Sequence, residues 1–165
     1  MKHFEIEIGG LSKKQLLETL NNANVRINEL GLTLLNSEYF ITTEFRRKVF
    51  LTEIKLKELG FENGCNLSTL FEAAHIHGLK PCSEETAPYL RLSYIQSNSK
   101  GMERLHKSPP DSATVVSRII DNDDDFPKGF YLRTVDNQLW LRGYICNNNH
   151  IFDPNDLFIF EKLNC

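Results

Sequence analysis

The stretch from Phe130 to Ile145 reads FYLRTVDNQLWLRGYI and contains two alternating segments joined by Asp136-Asn137. Apolar residues at every second position indicate a strand with one buried face. Asp and Asn are short polar residues that tolerate left-handed backbone and therefore favour a two-residue turn. The pattern predicts a β-hairpin with strands from Phe130 to Val135 and from Gln138 to Ile145.

The predicted turn also fixes which side chains share a face of the hairpin. Val135 is placed opposite Gln138, and Arg133 opposite Trp140. Opposite residues of a hairpin share a face, as do alternate residues of each strand. The face predicted to join the core holds Phe130, Leu132, Leu139 and Leu141. The other face holds Tyr131, Arg133, Val135, Gln138, Trp140, Arg142 and Tyr144.

Two arginines and three aromatic residues on this second face form a predicted ligand-binding set. The set is Tyr131, Arg133, Trp140, Arg142 and Tyr144. Guanidinium groups over aromatic rings make cation–π pairs, and such a surface suits an anionic or planar ligand. The alternative interpretation is structural: an outer amphipathic face, or a second core layer against the helices, with the guanidinium groups extending to water.

An acidic segment, residues 121–125, directly precedes the hairpin and contains four aspartates. Carboxylates at alternate positions can supply the oxygen ligands that calcium or magnesium requires. The predicted metal ligands are Asp121, Asp123 and Asp125. An EF-hand loop starting here would need Gly and Glu where the chain has Phe126 and Leu132, so it is excluded. The alternative is a solvated loop between strands.

Catalytic motifs are missing from the sequence. The chain has no Gly-x-Ser-x-Gly, no Gly-Lys dipeptide of a phosphate-binding loop and no Gly-x-Gly-x-x-Gly. His75 and His77 lie two residues apart, which does not match the i, i+4 pair that binds zinc on a helix. We therefore predict no catalytic residue and exclude a nucleotide-driven motor or a dinucleotide enzyme of the usual kind.

Composition and charge predict one soluble domain over residues 1–165. The formal net charge of −3 argues against a strongly basic nucleic-acid binder, so a nucleic-acid partner is not expected. Glu5 and Glu7 interrupt the apolar core that a signal peptide would need, and no apolar run is long enough for a membrane span. We expect a cytoplasmic protein with no membrane partner.

The cysteines support the same compartment. Cys65, Cys82, Cys146 and Cys165 occur singly, without a Cys-x-x-Cys pair. Such spacing does not indicate a zinc site or a redox centre. Free thiols in a reducing compartment are therefore expected.

The N-terminal half combines helix signals with two strand patterns. Phe4 to Ile8 alternate as in a strand, and the capping-box spacing of Ser12 and Gln15 predicts a helix that begins at Lys13. Asn28 can cap a second helix. The remaining predictions are a strand within Arg46 to Leu59 and a helix from Leu67 that Gly78 ends.

The C-terminal half favours short strands. Leu90, Leu92 and Tyr94 alternate with polar residues, and further strands are predicted at Thr114 to Ser117 and at Leu157 to Phe160. We therefore expect an α+β fold in which a helical N-terminal half packs against a mainly antiparallel C-terminal sheet. In this division residues 1–87 are helix-rich and residues 88–165 are strand-rich.

Three segments of the C-terminal half resemble a family of small, uncharacterised bacterial proteins. The segments are Asp123 to Arg133, Leu139 to Tyr144 and Asp153 to Phe160. The family has no established activity, so the resemblance implies a bacterial, cytoplasmic protein and assigns no site residue. Some members are labelled helicase, which this chain contradicts because it lacks the phosphate-binding signature and is too short for a pair of motor lobes.

Two functional hypotheses follow. The first is a non-enzymatic binding or interaction module whose hairpin, residues 130–145, and acidic loop, residues 121–125, contact an unknown protein or a small anionic ligand. The alternative is a metal-assisted hydrolase or transferase that uses a divalent cation, calcium or magnesium, bound in the acidic loop.

Overall fold

The computed structural model describes residues 1–94, 108–109 and 111–163. Cys165 lies outside the described residues, as does the segment from Ser97 to Gly101, for which the sequence predicts a loop. The helices are α1 (Lys13–Asn22), α2 (Glu29–Asn36), α3 (Leu67–Ile76) and α4 (Thr86–Ser93). The strands are β1 (Lys2–Ile8), β2 (Arg26–Ile27), β3 (Arg47–Lys55), β4 (Leu79–Lys80), β5 (Ala113–Val115), β6 (Gly129–Val135), β7 (Gln138–Tyr144) and β8 (Leu157–Lys162).

The described strands form one eight-stranded mixed sheet. Seven of them follow the order β1-β3-β8-β5-β6-β7-β2, and β4 pairs with β8 beside this path. The pairs β5/β8 and β2/β7 are parallel, and the other pairs are antiparallel. β1 and β2 therefore lie at the two edges, and β8 lies inside the sheet.

The predicted α+β fold, with a helical N-terminal half packed on a C-terminal sheet, is wrong. Strands β1 to β4 come from the first half of the chain and join the same sheet as the C-terminal strands. The link is β3, which pairs with β1 on one side and with β8 on the other. β3 and β8 are far apart in sequence, so local periodicity does not reveal that they are neighbours.

The strand predicted at Leu90, Leu92 and Tyr94 is also wrong, because Thr86–Ser93 forms helix α4. Ala87, Leu90 and Arg91 are buried in α4, and spacings of three and four residues place them on one face of a helix. Pro88 falls in the first helical turn, where the missing N–H has no intrahelical partner to lose. The apparent alternation was therefore part of a helical pattern.

The other N-terminal elements confirm the sequence signals. Ser12 and Gln15 make both bonds of the capping box, and α1 begins at Lys13. The Asn28 side chain caps α2, and Gly78 adopts a φ of 70° just after α3. The predicted strand within Arg46 to Leu59 is present but ends at Lys55, and Leu56–Leu59 form a 3-10 turn.

Two apolar cores lie on opposite faces of the sheet. The first core is covered by α1, α2 and α4 and includes Leu16, Leu35, Leu51, Leu90, Phe130, Leu132, Leu141 and Ile159. The second core is covered by α3 and the 3-10 turn and includes Ile54, Leu56, Leu70, Phe152, Phe158 and Phe160. Consecutive residues of β8, such as Phe158 and Ile159, therefore enter different cores.

The hairpin is formed in the predicted register. Arg133 is opposite Trp140 and Tyr131 is opposite Arg142, while Asp136 and Asn137 have φ of 48° and 64° in the turn. The core-facing set is confirmed: Phe130, Leu132 and Leu141 are buried, and Leu139 packs against the first core.

Candidate binding surface on the hairpin

The second face of the hairpin divides into two regions. At the end near Gly129, Tyr144 packs against Phe152 with ring centres 6.5 Å apart, and Tyr131 lies 6.5 Å from Tyr144. Tyr144 and Phe152 both belong to the second core or pack against it. Burial raises the pKa of the Tyr144 phenol. These two tyrosines therefore lie in a packed region of the face.

At the other end, two arginines lie over the ring of Trp140. The guanidinium carbon of Arg142 is 4.2 Å from the centre of the ring, and that of Arg26 is 5.8 Å from it. Both distances are within cation–π range. We call Arg26, Trp140 and Arg142 the Arg–Trp cluster. It brings two positive charges to one half-buried aromatic ring at the edge of the sheet.

Arg26 was not among the predicted site residues. It lies on β2, a strand of two residues that pairs in parallel with β7 and places Arg26 beside Trp140. A strand this short has no periodicity of its own, so the sequence contains no local signal that joins Arg26 to the hairpin.

Arg133 has a different environment from the cluster, although it is directly opposite Trp140. Arg133 is 1% exposed, so its side chain is inside the protein. The backbone carbonyl of Arg133 accepts a hydrogen bond from Nη1 of Arg91 at 3.4 Å, which ties the hairpin to α4. Arg133 is therefore buried beside Trp140 on the same face of the hairpin, and its role in ligand binding stays a prediction.

Asn28 holds the edge of the sheet at the point where β2 stops. Its Oδ1 accepts the N–H groups of Gly31 and Gly143, each at 2.8 Å, and its Nδ2 donates to the Gly143 carbonyl at 3.0 Å. One side chain thus caps α2 and pairs with β7 as a neighbouring strand would. At the other end of β2, Nε2 of Gln138 donates to the Asn24 carbonyl at 2.6 Å. These bonds fix the backbone that carries Arg26.

The acidic loop is organised around a lysine ammonium group. The N–H of Asp123 donates to Oδ1 of Asp121, and the N–H of Asp125 donates to Oδ1 of Asp123, each at 2.9 Å. Nζ of Lys128 donates to the Asp121 carbonyl at 2.8 Å and to the Asp123 carbonyl. Lys128 is 5% exposed. Sequence reasoning missed this residue because its charge alone does not indicate that it turns inward.

The predicted metal ligands are thus already engaged in local hydrogen bonds. Asp121 and Asp123 each accept a backbone N–H through a carboxylate oxygen, and Asp125 is exposed. Within the described ranges, no three His, Cys, Asp or Glu residues are grouped so that they could hold a metal ion. Calcium or magnesium binding by these aspartates stays a prediction.

The acidic loop lies at one end of the hairpin, and Trp140 of the Arg–Trp cluster lies further along it. The loop leads into Gly129, which pairs with Tyr144, whereas Trp140 pairs with Arg133. Four residues along a strand correspond to about 13 Å at roughly 3.3 Å per residue. Trp140 is therefore separated from the acidic loop, whereas Arg142, opposite Tyr131, is two residues nearer to it.

The described cysteines do not supply a reactive thiolate. Cys65 and Cys82 are buried, and burial raises the pKa of Cys65 to about 11 and also raises that of Cys82. Burial likewise raises the pKa of Cys146. A thiol is a weak nucleophile in its protonated form. These three side chains are therefore protonated, free thiols at neutral pH.

The fold and this surface define a mixed-sheet protein with helices on both faces and a cation–π cluster at one edge. No family model, no curated protein and no solved structure matches the chain. The resemblance to a bacterial family therefore stays a prediction. In the part of the chain that the structure describes, no helix has the length and apolar character needed to cross a bilayer.

Proposed function

We propose that this protein is a non-enzymatic binding or interaction module that recognises an anionic group through the Arg–Trp cluster. The observation that supports the proposal is the stacking of Arg142 on Trp140 at 4.2 Å with Arg26 at 5.8 Å from the same ring. The anionic group is a carboxylate or a phosphate carried by a small molecule or by a partner protein.

The chemistry follows from how the ring orients the guanidinium groups. A guanidinium stacked on an aromatic face keeps the N–H donors at its edge directed away from the ring. Those donors match the spacing of two oxygens of a carboxylate or phosphate and bind them as a pair. Since Trp140 already restricts Arg142, less side-chain entropy is lost when the ligand binds.

The metal-assisted hydrolase or transferase is less well supported. Asp121 and Asp123 each already accept one backbone N–H through Oδ1, so a metal ion would have to use the remaining lone pairs of these carboxylates. Metal binding would also place a cation near the Lys128 ammonium group, which like charge disfavours. We find no observation that favours this alternative.

We also propose a cytoplasmic location. Three buried or half-buried free thiols support this location, because disulfides form in oxidising compartments and thiols stay reduced in the cytoplasm. A nucleic-acid partner is disfavoured by the net charge of −3.

The binding proposal can be tested with the intrinsic fluorescence of Trp140, because it is the single tryptophan of the chain. Inorganic phosphate, pyrophosphate and citrate are titrated into the protein while the emission of Trp140 is recorded. We expect a saturable change in emission. Arg142→Gln and Arg26→Gln should each weaken binding about tenfold, because each removes one charge-assisted hydrogen bond to the anion.

The matched control is Arg46→Gln. Arg46 is exposed, pairs with Glu7 at 3.4 Å and precedes β3, near the opposite edge of the sheet. Its removal lowers the net charge by the same amount and should leave the titration unchanged. Equal weakening by Arg46→Gln and Arg142→Gln would contradict the proposal, as would the absence of any change in emission.

A further inference from the structure

A groove of about 860 Å³ lies between α2, the segment that follows it, and residues 120–126. Five apolar side chains line it: Leu30, Leu32, Tyr39, Ile120 and Phe126. Leu32 is 41% exposed and Tyr39 is 61% exposed. The outward face of α2 therefore presents apolar side chains to solvent in a concave site. Contiguous exposed apolar surface of this kind is typical of an interaction site, whereas single scattered apolar residues are not.

The charged residues that line the groove are all acidic. They are Glu29 at the start of α2, Glu38 just after its end, and Asp121 on the opposite wall, and each is exposed. No Lys or Arg is among the described residues that line it. Exposed Asp123 and Asp125 continue the negative charge beyond Asp121.

Lys128 does not line the groove, although its buried ammonium group offsets part of the negative charge of the acidic loop. Its ammonium group donates to backbone carbonyls inside the acidic loop, and the side chain is 5% exposed. The groove thus combines an apolar floor with a rim of three exposed carboxylates, and the Lys13 ammonium group donates to the carbonyl of Ser37 at its edge. A complementary ligand has apolar side chains along one side and cations on its flanks.

We propose that this groove binds a basic amphipathic segment of a partner protein. Large aliphatic side chains of the segment contact Leu32, Tyr39 and Phe126. Its Lys or Arg side chains pair with the carboxylates of the rim. Nucleic acids and anionic membranes carry the wrong sign for this rim. The surface is distinct from the Arg–Trp cluster, so the inference does not depend on the proposed function.

The test uses a fluorescein-labelled amphipathic helical peptide made of leucine and lysine, and binding is followed by fluorescence anisotropy. The comparison peptide has glutamine at every lysine position. We expect the lysine peptide to bind more tightly, with an affinity that falls as salt is added. Substitution of the rim by Glu29→Gln, Glu38→Gln and Asp121→Asn together should weaken binding about tenfold, because three exposed ion pairs are lost.

A control variant separates the rim from the overall charge of the protein. Glu18→Gln, Glu62→Gln and Glu72→Gln together remove three exposed carboxylates that do not line the groove. This triple variant should bind the lysine peptide as the wild type does. Equal affinities in the two triple variants would overturn the proposal, since binding would then reflect only net charge.

The apolar floor is tested separately. Tyr39→Ser should weaken binding of the lysine peptide several-fold at high salt, where the ion pairs are screened. Ile76→Ser on α3 is the matched control, because Ile76 is 83% exposed and lies outside the groove. Lysine-peptide affinity that does not exceed that of the glutamine peptide, or equal effects of these two serine variants, would also overturn the proposal.

Discussion

At the scale of single residues, two glycines decide how closely α2 approaches the hairpin. A Cβ atom on Gly143 would lie 2.5 Å from the Leu30 carbonyl carbon and 2.6 Å from the Gly31 nitrogen. A Cβ on Gly31 would lie 3.2 Å from the Gly143 nitrogen. Backbone therefore packs directly on backbone, and this approach is what lets the Asn28 side chain reach Gly143.

Gly143→Ala should destabilise the protein by about 2 kcal/mol, because the new methyl group collides with backbone that cannot move without shifting α2. Gly129→Ala is the control within the same hairpin. A Cβ there would meet Ser117 and Tyr144 at 3.4 Å, an ordinary contact. We expect its effect to stay within about 1 kcal/mol.

Urea unfolding of both variants measures the difference in free energy of unfolding. Equal stability of the Gly143→Ala and Gly129→Ala proteins would show that the contact between α2 and β7 yields easily.

At the scale of elements, the sequence predicted those helices and strands that are determined by residues close together in the chain. The hairpin was predicted with its register because the Asp136-Asn137 turn and the alternation of both strands lie within one short stretch. The α1 start was predicted because Ser12 and Gln15 satisfy each other's backbone groups. α4 was missed because its apolar residues fit two periodicities over a short length.

The acidic loop is an element whose organisation depends on one inward-turned side chain. Lys128→Met should destabilise the protein by about 2 kcal/mol, because two carbonyl groups lose hydrogen bonds to a charged donor. Lys14→Met is the control: Lys14 is exposed on α1, and its replacement should cost less than about 0.5 kcal/mol.

Thermal melts of these two variants, with and without calcium or magnesium, give the comparison. Indistinguishable melting temperatures would show that the loop does not depend on the ammonium group. The same melts examine the predicted cation site, since a metal bound by Asp121, Asp123 and Asp125 would raise the melting temperature of the wild type.

At the scale of the whole molecule, the sheet order could not be predicted because it rests on pairings between distant segments. β8 lies between β3 and β5, and neither pairing has a local sequence signature. The same reason explains the candidate surface. Trp140 and Arg142 were predicted together because they share a strand face, whereas Arg26 reaches them only through the parallel pairing of β2 with β7.

In this topology β8 contributes side chains to both cores, so it couples the stability of one core to that of the other. Phe158 is fully buried in the second core, and its neighbour Ile159 is fully buried in the first. Trp140 lies on β7, whose Leu141 belongs to the first core. If residues 1–165 unfold as the single domain that the sequence predicts, a destabilising substitution in either core must lower the unfolding midpoint that Trp140 fluorescence reports.

Phe158→Leu and Ile159→Val should each lower the free energy of unfolding by about 1 kcal/mol. Urea unfolding is followed by Trp140 fluorescence and by far-UV circular dichroism, with Lys162→Gln at the exposed end of β8 as the control. Both core variants should shift the two signals to the same lower midpoint, as in a two-state transition. A Phe158→Leu protein that keeps the wild-type midpoint in fluorescence but not in dichroism would show instead that the second core unfolds independently.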